Sequence, residues 1–524
     1  MVESASKGEW GSAAVMEQLV PENSFVINKI LSLDVPPLSP SIGLALKKVD
    51  VRSGFDVDVN MRHYWVPKED NLIGSTTMAT EHVASVVRLA VSEDQSFFAS
   101  ASHDGTSKIF ELRQTDSGGE LHSCLTYDGH KSGSEFSYHS RVNDVAILES
   151  SHSVATAASD GSLHVWKVDM VTSHQTQSSI HTKGSRVSGC STLRQINPDE
   201  GEMMAVSHFN APSASILAYA TQRGHIHSLD LRCAREPFAL NLRPELGYLT
   251  DMQVGDDKNW IVAGTSRGFL ALWDIRFQAM VKLWRHGSDS PVKRLASASD
   301  SHTNGRKGSM YEASRPLIFM GCDNNEASLF DVSTGDCLQC YRTLDTSLSC
   351  VDQSALPMGC LSVPRLESVA IPRSCGKRQV SVDRALQMST RSLIRDHSVN
   401  ALVGSISREG PSYLLTGGSD QMIKYWDLNS ASKCFCLSGL GRNQPPPSVE
   451  RIDVGSVSQL FVCRQPSIPP ARLTESSRLP SRNRQGIAKC SNRHQDSILD
   501  LKLIEEPMMG VLSSSRDGTI KLWA

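Results

Sequence analysis

Short segments in which apolar and polar residues alternate recur along this chain, and they come in pairs joined by tight polar turns. The last pair is "SSSRDGTIKLWA", residues 513–524, with Asp517 and Gly518 at its turn. A period of two is typical of β-strands, and an Asp-Gly pair suits the twist of a two-residue hairpin. The final strand of this hairpin needs a neighbour on its outer side, because an unpaired strand edge promotes aggregation.

Six earlier segments repeat the strand–turn–strand pattern, and each ends in a large apolar residue that is often followed by Asp. The end residues of the seven copies are Phe110, Trp166, Leu229, Trp273, Phe330, Trp426 and Trp523. The interval between Leu229 and Trp273 has the ~40–45 residues typical of a WD40 blade, and the longer intervals indicate insertions. The repeats predict an all-β fold, a seven-bladed WD40 β-propeller over residues 64–524.

Many propellers close their ring by using an N-terminal strand to complete the last blade. The stretch "NLIGSTTM", residues 71–78, lies just before the first full repeat and has the length of a strand. We therefore expect this segment to be the outer strand beside Trp523.

Three stretches fall outside the repeats. Residues 1–63 show little periodicity and are predicted to be a disordered leader or a truncated junction. Residues from about 356–396 and 441–492 are rich in Ser, Pro and Arg, and are predicted to be two long loop insertions in the sixth and seventh blades.

The second insertion is strongly basic. Between residues 464 and 493, six Arg and one Lys face a single Glu. Such a run could contact acidic lipid or RNA by counterion release. A solvated flexible loop is the favoured interpretation, because lengthening a loop adds little to its closure entropy.

Composition narrows the possible environments. The chain has 524 residues with 53 basic and 56 acidic side chains, so its net charge of −3 gives no general attraction to nucleic acid or to anionic membranes. Its 13 cysteines are irregularly spaced, and no signal peptide precedes them, which predicts reduced thiols and a cytoplasmic location. No apolar run approaches the ~18 residues of a membrane span.

The repeats also share polar residues that could form a hydrogen-bonded chain within a blade. The last repeat has the full set, His494, Ser515, Asp517 and Trp523. Partial sets occur in the first repeat, with Phe110 in place of Trp, and in the second, with Ala158 in place of Ser: His82, Ser102 and Asp104; His139, Asp160 and Trp166. Buried polar groups must be paired, so these sets are predicted to be structural.

Catalytic chemistry has little support in the sequence. No G-x-S-x-G elbow accompanies the Ser, His and Asp residues, and no nucleotide-binding or kinase motif is present. Cys337 and Cys340 have metal-type spacing, but no second pair lies at zinc-ribbon distance, so they are interpreted as buried strand cysteines. The chain is predicted not to be an enzyme and to have no cofactor, catalytic residue or metal ligand. A propeller with hydrolytic activity is kept as a third hypothesis, behind the two functions described below.

The amino-acid sequences of the middle repeats give a closer resemblance to a known family. The segments are "HFNAPSASILAYATQRGHIHSLDLR" (208–232), "WIVAGTSRGFLALWDIRFQ" (260–278) and "LLTGGSDQMIKYWDL" (414–428). In this order they resemble the C-terminal WD40 domain of the regulatory subunit of the class III phosphatidylinositol 3-kinase. The resemblance covers roughly residues 64–524 apart from the two insertions.

This resemblance implies a non-catalytic scaffold that acts in autophagy and in endosomal and vacuolar sorting. The implied partners are the catalytic subunit of the lipid kinase and a Beclin-type coiled-coil subunit, with indirect association to endosomal and autophagic membranes. The family's protein-kinase-like domain and helical repeats have no counterpart before residue 64. The residues that bind partners are not predicted.

A second function is kept as the alternative. Trp273, Asp274, Ile275 and Arg276 match the W-D-x-R box of some propeller substrate receptors of cullin-RING ubiquitin ligases. The box is short and common among propellers, so it is the weaker of the two resemblances.

Overall fold

The computed structural model describes most of the repeat region. The described residues are 76–112, 123–131, 140–169, 186–287, 289–298, 316–345, 364, 366–369, 397–406, 412–438, 446–454, 458–465, 493–504 and 510–523. The predicted leader, residues 1–63, lies outside them and stays a prediction.

Seven β-sheets follow one another along the described chain, and each is one blade of a propeller. Blades 1 to 3 each have four strands: β2 (Val86–Val91), β3 (Phe97–Ser102), β4 (Ser107–Glu111) and β5 (Ser123–Tyr127); β6 (Val142–Ile147), β7 (Ser153–Ala158), β8 (Ser162–Asp169) and β9 (Arg186–Gln195); β10 (Met203–Ala211), β11 (Ala214–Thr221), β12 (His225–Asp230) and β13 (Ala239–Asn241).

Blades 4 to 6 continue the same plan, and each is built on four consecutive antiparallel strands. Their bounds are β14 (Leu249–Val254), β15 (Trp260–Thr265), β16 (Phe269–Asp274) and β17 (Ala279–His286); β18 (Val292–Ser297), β19 (Leu317–Cys322), β20 (Glu326–Asp331) and β21 (Cys337–Asp345); β23 (Val399–Ser405), β24 (Tyr413–Gly418), β25 (Ile423–Asp427) and β26 (Phe435–Ser438). The predicted all-β seven-bladed propeller is confirmed.

Blade 7 is built from both ends of the described chain. Its strands are β29 (Ile498–Ile504), β30 (Gly510–Ser515), β31 (Ile520–Trp523) and β1 (Thr76–Ala79). β1 pairs antiparallel with β31, from Thr76 opposite Trp523 to Ala79 opposite Ile520. Residues 76–78 of the segment expected at 71–78 thus lie in the outer strand, which extends to Ala79, and residues 71–75 lie outside the described residues.

Four short 3-10 helices lie in the described connections: Gly129–Lys131, Pro198–Glu200, Pro244–Leu246 and Ala431–Lys433. Among the described residues, no helix has the length and apolar character needed to cross a membrane.

The second strand of a blade is buried on both faces, because a neighbouring blade covers each side of the sheet. β3, β7, β24 and β30 are buried along their whole length and consist largely of Ala, Ser, Thr and Gly. Small residues are needed there: a Cβ on Gly417 would lie 2.8 Å from Cγ2 of Ile498, in the next blade. Close packing between blades therefore explains why these strands do not alternate.

The two predicted insertions connect blades, and they are not loops throughout. From the first, β22 (Leu366–Ser368) pairs with β17 at the outer edge of blade 4. From the second, the hairpin β27 (Ser448–Val454) and β28 (Ser458–Gln465) joins blade 5, with β28 parallel to β21. The prediction of loops was wrong for these strands, which cover edges that would otherwise be open.

Candidate functional site: polar networks of the blades

The polar network of blade 7 is centred on a serine in β30. Ser513 Oγ lies 2.6 Å from Nε2 of His494, and Trp523 Nε1 donates to the same oxygen over 2.8 Å. The serine hydroxyl then donates to Nε2, which leaves the imidazole proton on Nδ1 facing Thr519 Oγ1 at 3.1 Å and Asp517 Oδ2 at 3.7 Å. The network joins the connection before β29, which carries His494, to the second and third strands of the blade, β30 and β31.

Asp517 is held ionised by its neighbours. Burial alone would raise the pKa of this carboxyl, but the nearby ring of His494 and the hydrogen bond from Thr519 Oγ1 outweigh burial and hold the pKa well below its usual range. Burial lowers the pKa of His494, so this ring stays neutral near pH 7.

Ser515, the serine predicted for this network, has another role. Its hydroxyl donates to the carbonyl oxygen of Asp496 and accepts from the backbone N–H of Asp517, both over 3.2 Å. The sequence analysis placed the serine of this network two residues too far toward the C-terminus, at Ser515 instead of Ser513. Residues 513 and 515 lie on the same face of β30, so period-two reasoning could not separate them.

Blade 1 shows the same displacement. His82 contacts Asp104 Oδ2 through Nδ1 and Ser100 Oγ through Nε2, each over 2.8 Å. Ser102 instead donates to the carbonyl of Ala84 and accepts from the backbone N–H of Asp104. Phe110, in the Trp position, stacks on Phe98 with ring centroids 4.8 Å apart.

In blade 2 the histidine of the network is His130. Its Nε2 lies 2.9 Å from Thr156 Oγ1, and its Nδ1 lies 2.9 Å from Ser162 Oγ, which donates to Asp160 over 2.6 Å. The predicted His139 lies outside the described residues, and Thr156 takes the place that the sequence assigned to Ala158. The Gly-His pair before Lys131 was the available signal, because Gly-His is a WD40 signature.

Two further observations describe the blade 2 network. The ring of His130 stacks on His164 with centroids 4.0 Å apart, and burial lowers the pKa of His130 to about 3. The indole nitrogen of Trp166 is buried and has no hydrogen-bond partner among the described residues. Trp166 therefore contributes packing to this blade rather than a polar link.

The surroundings of these networks indicate a structural role. His494 and Ser513 are both fully buried, so a substrate has no access to the nucleophile or to the base. The arrangement can fix the shape of a blade, but it does not offer a hydrolytic centre.

A second polar cluster, missed in the sequence, lies on the innermost strands. Each of these strands has a register shift near its start, and the residue after the shift occupies the same position in all seven blades. From blade 1 to blade 7 these residues are Arg88, Asp144, Ala205, Asp251, Arg294, Ala401 and Asp500.

The charged members of this set form a connected cluster. Arg88 Nη2 lies 2.7 Å from Asp251 Oδ1, and its Nε lies 3.4 Å from Asp144 Oδ1. Arg294 Nη2 lies 2.6 Å from Asp500 Oδ1 and its Nη1 lies 3.8 Å from Asp251 Oδ1. We call these five residues the inner-strand cluster, and they join blades 1, 2, 4, 5 and 7.

Each aspartate of the inner-strand cluster also binds the backbone of the next blade. Asp500 accepts from the N–H of Leu89, and Asp144 accepts from the N–H of Val206, over 2.9 and 2.7 Å. Asp251 accepts in the same way from the following blade. Three carboxylates face two guanidinium groups, and burial raises the pKa of Asp144 to about 6.

The cysteine pair lies where the sequence placed it. Cys337 and Cys340 are buried in β21, and burial raises the pKa of both thiols. A raised pKa keeps a thiol protonated and unreactive.

The W-D-x-R residues lie on blade 4, with Trp273 buried. Arg276 donates through Nη2 and Nε to the two carboxylate oxygens of Asp274, over 2.6 and 3.1 Å. The Arg276 side chain is 60% exposed, and the neighbouring Phe277 is 76% exposed, so this turn presents a cation and an aromatic ring to solvent.

Comparison with known proteins agrees with this geometry. The WD40 family model, described as "WD domain, G-beta repeat", matches residues 75–111, 123–167 and 488–524. The Arabidopsis thaliana serine/threonine-protein kinase VPS15 is 27% identical over 84% of this chain, and a putative VPS15 of Komagataella pastoris is 24% identical over 85%. Most of this chain is homologous to part of VPS15. A probable vps15 of Dictyostelium discoideum is 35% identical over 38% of the chain.

The match covers only part of each relative. The chain spans 28% of the Arabidopsis VPS15 and 30% of the Komagataella VPS15. These relatives are named as protein kinases, whereas the described part of the chain is a WD40 propeller and contains no kinase domain.

The blade 7 network predicts different effects at two adjacent serines. Ser513→Ala removes the partner of both His494 and Trp523, so it should lower the free energy of unfolding by roughly 2 to 4 kcal/mol. Ser514 is equally buried, but its hydroxyl has no hydrogen-bond partner in the described part of the chain, so Ser514→Ala should be neutral or stabilising. Denaturant unfolding of both variants measures the difference, and equal losses would contradict the network.

The inner-strand cluster predicts a pH dependence. The pKa of Asp144 is about 6 in the folded protein against an ordinary value of 3.8. At a pH between these two values, folding is therefore accompanied by uptake of a proton by this carboxyl. Ionisation of Asp144 should therefore lower stability by about 3 kcal/mol as the pH rises from ~4 to ~6, while buried histidines such as His130, whose pKa is lowered, contribute in the opposite direction. Asp144→Asn cannot ionise, and it leaves two carboxylates facing two guanidinium groups, so the stability of the wild type relative to this variant should fall by about this amount over the same pH range.

Unfolding free energies at several pH values between 4 and 7 provide the test. Asp453→Asn, at a position whose side chain is 70% exposed, controls for the loss of one carboxylate. A stability difference between the wild type and Asp144→Asn that stays constant from pH 4 to 7 would show that this group does not carry the effect.

Proposed function

We propose that this chain is the propeller module of a VPS15-type regulatory subunit and acts as a non-catalytic scaffold in a class III phosphatidylinositol 3-kinase complex. The observation that carries this proposal is the alignment with VPS15 relatives over 84 to 85% of the chain. The burial of the histidines and serines of these networks inside the blades supports a binding role rather than a catalytic one.

The partners in this proposal are the lipid-kinase catalytic subunit and a Beclin-type coiled-coil subunit. Through them the chain would act in autophagy and in endosomal and vacuolar sorting. It would be a cytoplasmic protein that reaches endosomal and autophagic membranes indirectly, as part of the complex. Its charge balance of 53 basic and 56 acidic residues supports recognition through local surfaces rather than through a general field.

Blade edges and short turns are the best candidates for the docking surface. Fixed backbone loses little conformational entropy on binding, whereas a long flexible segment must be ordered first. The turn of blade 4 between β16 and β17 exposes Arg276 and Phe277, and Val281 in β17 is 49% exposed. Arg and aromatic side chains are enriched among the residues that dominate binding energy at interfaces.

Capture of the complex tests the proposal and the role of the basic insertions. A variant without residues 372–394 and 468–490 removes most of the insertion charge but keeps β22, β27 and β28. We expect pull-downs from cell extract to recover the lipid-kinase and Beclin-type subunits equally with this variant and with the intact chain. Adhesion to anionic liposomes should decrease, because each Lys or Arg near such a surface contributes about 1 kcal/mol.

A full-length VPS15 relative serves as the positive control for these pull-downs. Recovery of no lipid-kinase subunit by either form of the chain would contradict the proposed scaffold. Recovery by the intact chain alone would place recognition in the insertions.

The ligase-receptor alternative has its own outcome in the same experiment. It is kept because Arg276 is exposed on blade 4 beside Phe277. Recovery of a cullin adaptor that is lost in Arg276→Ala, without any lipid-kinase subunit, would favour this alternative.

A further inference from the structure

Two histidines and two glutamates lie together on the outer part of blade 3. His225 and His227 alternate along β12, so they share one face of the strand, and their rings stack with centroids 6.0 Å apart. Glu200 comes from the 3-10 helix Pro198–Glu200 before β10, and Glu236 comes from the connection between β12 and β13. Ligand atoms of Glu200, His225 and His227 all lie within 4.8 Å of one another.

Both ring nitrogens of His227 face carboxylates. Nδ1 lies 2.7 Å from Glu236 Oε1, and Nε2 lies 2.9 Å from Glu200 Oε2. A metal-binding histidine uses one nitrogen for the metal and donates its other N–H to a carboxylate. Glu236 is placed to orient the ring in this way, and Nε2 is left beside a glutamate oxygen that could share a metal with it.

The spacing suits a small tetrahedral ion. Nitrogen and oxygen ligands lie ~2.0–2.1 Å from Zn²⁺, so two of them at a tetrahedral angle are roughly 3.3 Å apart. The observed 2.9 Å between Nε2 of His227 and the Glu200 oxygen is within a few tenths of an ångström of that distance. Zn²⁺ would replace the proton between these two atoms, and that proton would leave to solvent.

The ligands are carried by well-supported backbone. Tyr219, which is buried in β11, stacks on His227 with ring centroids 5.3 Å apart. The helix that carries Glu200 begins with a proline and is capped by Asn197, whose side chain accepts from the backbone N–H of Asp199. The carbonyl of Glu200 also accepts from the N–H of Arg223, across the blade. Supporting contacts of this kind are needed to hold a metal site in shape.

The charges around the site are compatible with a divalent cation. Arg194 lies 3.4 Å from the far oxygen of Glu236 and balances that carboxylate. The side chains of His227 and Glu200 are each 19% exposed, so an ion can enter from solvent. Two imidazoles and one carboxylate favour Zn²⁺ and similar transition metals over Mg²⁺ or Ca²⁺, which prefer oxygen ligands.

We propose that Glu200, His225 and His227 form a zinc-class metal site on blade 3, with Glu236 as the positioning residue of His227. The fourth coordination position would be filled by water or by a side chain of a bound partner. The ion would join the connection between blades 2 and 3 to β12, and so stabilise this side of the ring.

Titration of the intact, chelator-treated chain with ZnCl₂ tests the proposal by calorimetry and by thermal unfolding. We expect one saturable site of N and O ligands, and Zn²⁺ but not Mg²⁺ should raise the Tm. His225→Ala and Glu200→Gln should each weaken binding at least tenfold, and Glu236→Ala should weaken it 10- to 100-fold. Co²⁺ absorption separates this site from cysteine ligation, because thiolates give a distinct charge-transfer band.

His152→Ala is the matched control. His152 is also partly exposed and is paired with a carboxylate, Asp94, at 3.0 Å, and its loss should leave Zn²⁺ affinity unchanged. Glu200→Gln keeps the shape of the side chain, so it remains informative if His225→Ala unfolds blade 3. The absence of saturable Zn²⁺ binding, or equal affinity in the wild type and Glu200→Gln, would overturn the proposal and leave a hydrogen-bonded ion network only.

Discussion

The pairing of β1 with β31 is the contact on which the rest of the propeller depends. It joins Thr76–Ala79 to Ile520–Trp523 and gives the last blade its fourth strand. Without it β31 would present an open edge, and blade 7 would no longer hold the strand β1, which continues along the chain into blade 1. The inner strands of the same two blades are joined as well, because Asp500 accepts from the N–H of Leu89. The ring is therefore closed at its outer and at its inner side.

Closure determines what the polar groups of the blades can do. The small residues of the second strands let adjacent blades approach closely, and this packing buries His494 and Ser513 completely. A buried, fully paired histidine fixes the geometry of its blade instead of reacting with a substrate. The outer edges and turns are what remains available for recognition, and this is why a docking role follows more naturally than a catalytic one.

Local patterns in the sequence were sufficient for much of the fold. Period-two alternation and tight polar turns identified the seven hairpins, and strand length and position identified the closing segment. The pattern failed where two residues on one face were equivalent, as with Ser513 and Ser515, and where a connection of variable length carries the histidine, as with His130. The inner-strand cluster could not be predicted, since Arg88 and Asp251 are far apart in sequence and meet only through the ring. β27 and β28 were missed because the Ser- and Arg-rich composition of the insertion concealed a hairpin, of which β28 pairs with β21.

The most direct test of the account is a comparison of two truncated chains, one starting at residue 71 and one starting at residue 80. Both lack residues 1–70, and only the second lacks β1. The chain starting at 71 should melt like the full chain, whereas the chain starting at 80 should lose roughly 0.5 to 1.5 kcal/mol for each ladder hydrogen bond and aggregate through β31. Equal melting temperatures and equal solubility of the two truncated chains would contradict closure of the ring by β1.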